Sequence, residues 1–127
     1  MAQWNLWAGW TGMIFGLVSG AAIGLKFHRE DFAGGYVSFR RRMLRIGHLA
    51  FFGLGIINVL FALTLTSSGV VLSYPAVASA SLAAAVFVMP VVCFLTAWKK
   101  PFRHVFPLPV VLVAISFLLL LEGLVKQ

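Results

Sequence analysis

The segment RRRMLRIGHLAFFGLGIIN, residues 40–58, opens with Arg40, Arg41 and Arg42 and adds Arg45 one turn later. It then continues into an apolar run interrupted by His48, glycines and Asn58. Cations crowded against the edge of an oily helix mark the start of a membrane-spanning segment, because Lys and Arg concentrate in the short loops that stay cytoplasmic. The polar groups inside the run need a different explanation. In hydrocarbon they are costly unless they face protein, so they point to helix contacts or to a site.

The rest of the chain has the same character. Its 127 residues are 61% hydrophobic and 10% charged, with a mean hydropathy of +1.01, whereas an average soluble domain is about a quarter charged. A chain this short cannot hide so much apolar surface from water, so lipid is the solvent for much of it. A net charge of +7 would suggest nucleic acid as the partner of a soluble protein. Here the charge reads as a topology signal, and no nucleic-acid partner is expected. Cys93 is the only cysteine, which leaves no intramolecular disulfide and no cysteine zinc cage. It reads as a small buried hydrophobe.

Four apolar stretches, at about residues 7–25, 44–66, 76–98 and 105–124, each approach the ~20 residues that a ~30 Å hydrocarbon layer asks of a helix. Short connections make neighbours antiparallel. The expected fold is therefore all-α, an integral membrane four-helix bundle forming one domain over residues 1–127. Lys26, Arg29, Arg40, Arg41, Arg42 and Arg45 fall between the first two stretches, and Lys99, Lys100 and Arg103 between the last two. The N-terminal segment and the connection SSGVVLSYPAVAS carry no charge. Both basic loops are then expected in the cytoplasm and both termini outside, with a bacterial inner membrane as the simplest host. Trp4, Trp7, Trp10, Tyr74 and Trp98 lie near the ends of the stretches, as belt aromatics do. No positive region precedes the first stretch, so it is read as a membrane helix and not as a signal peptide.

Cations at the start of the second helix oppose its macrodipole. Anionic lipid headgroups are the expected compensation, and a carboxylate-bearing ligand is the alternative. In the first helix, Gly12, Gly16, Gly20 and Gly24 recur every four residues and form a face on which another backbone can approach closely. The stripe is expected to dock on this protein's own second or third helix; the alternatives are a neighbouring subunit or a flat ligand such as a tetrapyrrole. Asn58 is expected to hydrogen-bond across the bundle near its middle. Pro90 predicts a kink in the third helix, and Pro107 and Pro109 mark the first turn of the fourth. Glu122 and Lys126 read as a solvated pair at i,i+4 spacing.

The three histidines carry most of the functional interest. His28, His48 and His104 all fall at the cytoplasmic level of this topology. His48 and His104, on helices running in the same direction, are candidate ligands for one metal or for the two axial positions of a b-type haem, with Arg45 and Arg103 as partners for its propionates. His28, with Glu30 and Asp31 beside it, is a candidate metal ligand. The layout is similar to small four-helix b-type cytochromes and cytochrome-like subunits of respiratory complexes, although ligands in that class usually lie deeper than His48 or His104. It is also similar in length to small multidrug transporters, but no Asp or Glu lies between Trp7 and Leu25 to carry a proton. The expected function is a small membrane subunit, without catalysis of its own, supporting a larger redox or energy-converting complex of integral membrane chains, with haem b as the candidate cofactor. The alternative is a small enzyme or carrier acting on a lipid or anionic substrate at the cytoplasmic interface.

Overall fold

A computed structural model describes residues 1–127. The chain is all-helical: α1 spans Ala2–Gly24, α2 Phe39–Ser67, α3 Pro75–Trp98 and α4 Pro107–Val125, with short 3-10 turns at Phe32–Gly34 and Lys100–Val105. All four helices are long and apolar enough to cross a membrane. Only 28 of the 127 residues are buried, and the exposed remainder is rich in Leu, Val, Ile, Phe and Trp. Such a surface is stable against acyl chains and not against water.

Two helices begin earlier than hydropathy suggests. α1 starts at Ala2, five residues before Trp7, so that Trp4, Trp7 and Trp10 lie on its exposed outer side. α2 starts at Phe39, which places the arginines inside its first two turns and not in the loop. The cause is local: the Ser38 hydroxyl accepts from the Arg41 amide at 3.1 Å and donates to the Ala33 carbonyl at 2.7 Å. A serine cap of this kind satisfies one orphan donor and fixes the helix start. The loop it anchors is tight, with Ala33 at φ +55° followed by Gly34 and Gly35 at φ +88° and +95°. An L side chain in the left-handed region is strained. Ala33→Gly should therefore stabilise the fold, by up to about 1 kcal/mol after the glycine's extra unfolded-state freedom is subtracted, readable as a rise in the midpoint of denaturant unfolding in detergent.

Packing is uneven. α1 lies mainly on α2 and touches α3, α2 lies on α3, and α4 packs against α3 without approaching the backbone of α1 or α2. The architecture is thus an α1–α2–α3 core with α4 on the flank of α3. One apolar cluster joins Phe61, Val70, Leu72, Ala78 and Leu82, reached by Val113, Leu119 and Leu120 of α4. A second joins Leu54, Ala85 and Val86 in mid-bundle. The loop between α2 and α3 is drawn into this packing: Val70 and Leu72 crowd Gly123, and Ser73 donates to Glu122 at 2.7 Å. Glu122 and Lys126 do pair, but both also bond Ser73, so the pair ties α4 to the loop. Pro107 opens α4, and Pro90 is buried within α3, which continues through it to Trp98.

Candidate functional site

The glycine face of α1 meets α2. A β-carbon placed on Gly9 would lie 2.6 Å from the Gly55 carbonyl oxygen, and one on Gly55 would lie 2.8 Å from the Gly9 carbonyl oxygen. Farther along, Gly12 is filled by Val86 and Phe51, Gly16 by the Phe52 ring, and Gly20 by the His48 imidazole, while Gly24 has nothing within 4 Å. The stripe therefore serves this chain's own helices over most of its length and opens at its last member. Its register also begins one step earlier than the sequence spacing suggested, at Gly9.

At the end of the bundle away from the basic loops, Asn5, Asn58 and Ser79 join α1, α2 and α3. Asn5 donates to the Asn58 side-chain oxygen at 2.8 Å and to the Ser79 carbonyl at 3.2 Å, and accepts from the Ser79 hydroxyl. Asn58 donates to the carbonyls of Leu54 at 2.9 Å and Leu82 at 3.1 Å. All three residues are buried. Asn58 does bond across the bundle, in the half of α2 away from the basic loops. Asn5 and Ser79 were not singled out as its partners. The signal for Asn5 was available: it precedes Gly9 by four residues, on the same face as the stripe.

At the basic end the arginines find carbonyls. Arg40 donates through Nε to the Ala97 carbonyl at 3.0 Å, at the C-terminal end of α3. Arg41 donates through Nη2 to the Phe27 carbonyl at 2.9 Å, just beyond α1, and its guanidinium stacks 4.3 Å from the Phe27 ring centre and 5.4 Å from that of Tyr36. Arg41 is only 3% exposed, and its Nε has no partner. These contacts supply a compensation that sequence reading did not identify. The arginines sit unfavourably at the positive end of the α2 dipole, but antiparallel packing brings Arg40 and Arg41 to the negative ends of α3 and α1.

His48 sits on the α1–α2 seam. Its Nδ1 is 2.8 Å from the Gly16 carbonyl, which can only accept, so Nδ1 carries the proton and Nε2 is the free nitrogen. Phe52 meets the ring edge-on at 5.5 Å. A groove of about 290 Å³ opens beside it, lined by Gly20, Ile23, Gly24, Phe27, Arg45, His48 and Leu49. Arg45 rises over Tyr36 at 5.1 Å and forms no ion pair. So His48, Arg45, Gly20 and Gly24 come together, whereas His28 is exposed in the first basic loop and Arg103 and His104 are exposed in the turn before α4. That turn makes no backbone approach to α2. No three His, Cys, Asp or Glu side chains cluster as a metal site.

Compared with protein-family models, curated proteins and solved structures, the chain matches none.

Proposed function

We propose that this protein is a small integral membrane subunit that supports a larger membrane assembly of the redox or energy-converting class. The supporting observation is the use made of its buried polar groups. Asn5, Asn58 and Ser79 bond one another across three helices, His48 bonds the α1 backbone, and Arg40 and Arg41 bond the ends of neighbouring helices. Polarity of this kind locks helices in place, and it leaves long apolar outer faces on α1 and α4 for lipid or for other membrane chains. In this reading the basic loops lie in the cytoplasm, as their Lys and Arg content favours.

The cofactor part of the proposal rests on His48. Metal-ligating histidines commonly donate their other ring N–H to a backbone carbonyl, which fixes the ring and its tautomer. The bond from Nδ1 to Gly16 has that form, and Arg45 lines the same groove. If a haem is held here, His48 would supply one ligand and any second protein ligand would have to come from a partner chain, because the His104 turn does not approach α2.

Extraction from its native membrane in mild detergent tests both parts. Stoichiometric integral membrane partners are the expected result, and a stable, partner-free monomer would overturn the subunit reading. In the same sample, Soret and α bands that sharpen on dithionite reduction and vanish in His48→Ala, with the helical circular dichroism retained, are expected of a haem-bearing subunit. A featureless visible spectrum in the intact complex would remove haem while leaving the subunit reading to the partner analysis.

A further inference from the structure

The groove at the basic end of the α1–α2 seam has an order of polarity along its length. Phe27 and Arg45 stand at the mouth, toward the basic loops. Gly24 and Ile23 follow on α1, and Gly20, His48 and Leu49 lie deeper. A cation and an aromatic ring at interfacial depth above an apolar floor match the sequence of groups in a phospholipid, from phosphate to acyl chain. The floor is bare at Gly24, where a side chain would meet nothing within 4 Å, so the space is open to an occupant and not filled by the protein itself.

Charge points the same way. Arg41 and Arg45 lie one turn apart on α2, share the Tyr36 ring, and have no carboxylate in ion-pair range. The chain has three acidic residues: Asp31 reaches Arg29, Glu122 is held by Lys126 and Ser73, and Glu30 makes no ion pair. Arg41 is committed to the Phe27 carbonyl and lies outside the groove lining, so Arg45 is the cation in the groove left to meet an anion. Nothing in the chain provides that anion.

We propose that this groove binds one anionic phospholipid, with its phosphate on the Arg45 guanidinium and an acyl chain laid over Gly24 and Gly20. The site does not depend on the subunit role, but it uses the groove and the Arg45 guanidinium that a haem on His48 would also need, so the two occupants exclude one another. It would operate in an isolated monomer as well as in a complex.

Native mass spectrometry of the full chain, released from nanodiscs of equal phosphatidylglycerol and phosphatidylcholine, tests the proposal. One retained phosphatidylglycerol in preference to phosphatidylcholine is expected. Arg45→Gln should lower that retention about fivefold or more, the scale of one interfacial cation, while Arg45→Lys keeps most of it. Gly24→Leu fills the groove floor and should lower retention similarly, whereas Gly53→Leu, the same change at an exposed position with nothing within 4 Å, should leave it unchanged. Should Arg45→Gln fail to fold by circular dichroism, Gly24→Leu decides alone, since its side chain enters open space. Equal retention of the two lipids, unchanged retention in the Arg45 and Gly24 variants, or full displacement of the lipid by inorganic phosphate would each overturn the proposal. So would occupation of the groove by a partner helix in the native complex.

Discussion

Gly9→Val is expected to destabilise the bundle by about 3 kcal/mol, the upper range for forcing extra carbon into a packed interior, and to leave little correctly folded protein in mild detergent. The physical reason is that the obstacle is backbone. A β-carbon on Gly9 would stand 2.6 Å from the Gly55 carbonyl oxygen and 2.7 Å from a Val59 methyl. A methyl can rotate away, but a helix carbonyl cannot without moving the helix that carries it. Gly55→Val meets the mirror-image obstacle, with the Gly9 carbonyl oxygen at 2.8 Å, so the two substitutions should have similar effects. Gly16 and Gly20 face side chains instead, the Phe52 ring and the His48 imidazole. Substitutions there should be milder because rings can turn. Gly53→Val, with nothing within 4 Å, is the control for a valine in a membrane helix. Midpoints of unfolding by a denaturing detergent would rank the set, and a Gly9→Val protein as stable as Gly53→Val would show that α1 and α2 do not meet along this face.

That face was legible in the sequence because close helix packing in lipid depends on small residues, and glycines four apart cannot be placed on different sides of a helix. The four spans were legible for a similar reason: hydrocarbon thickness sets a length, and apolar runs either meet it or do not. Helix ends were less legible. Hydropathy marks where oil stops, whereas a helix stops where its backbone is capped, and Ser38 caps α2 six residues before Leu44, where the apolar run begins. The shift matters because it turns Arg40 and Arg41 from loop charges into groups that reach a carbonyl at the end of α3 and one just beyond α1. Such contacts join residues far apart in sequence, and no local spacing encodes them. The same limit applies to the histidines. Sequence order puts all three toward the basic end, but His48 lies within α2 against α1 while His28 and His104 lie in connecting turns, and whether two rings face one another depends on which helices are neighbours; α4 lies on α3 and not on α2.

Asn58→Ala is the second substitution with a large expected effect. Asn58 accepts one hydrogen bond from Asn5 and donates two to the carbonyls of Leu54 and Leu82, so its loss weakens the union of all three core helices at one point. Interhelical hydrogen bonds in membranes contribute about 0.6 kcal/mol on average and up to ~1.7. With the Asn5 amide left to a single acceptor and a vacancy in close packing, a loss of about 2 kcal/mol is expected. A double-mutant cycle with Asn5→Ala separates the two contributions. A coupling of about 1 kcal/mol is expected for directly bonded partners, and additive losses would mean that the two side chains do not bond each other in the folded protein. The clasp also makes a prediction about the other end. Asn58 and Arg45 are thirteen residues apart on α2, about 20 Å along the helix at ~1.5 Å per residue. They share no partner, so Asn58→Ala should lower stability while leaving the preference for anionic lipid intact, and Arg45→Gln should do the reverse. Separate effects of that kind follow from a bundle whose helices are fastened at one end by side-chain amides and bordered at the other by an open groove beside Gly24.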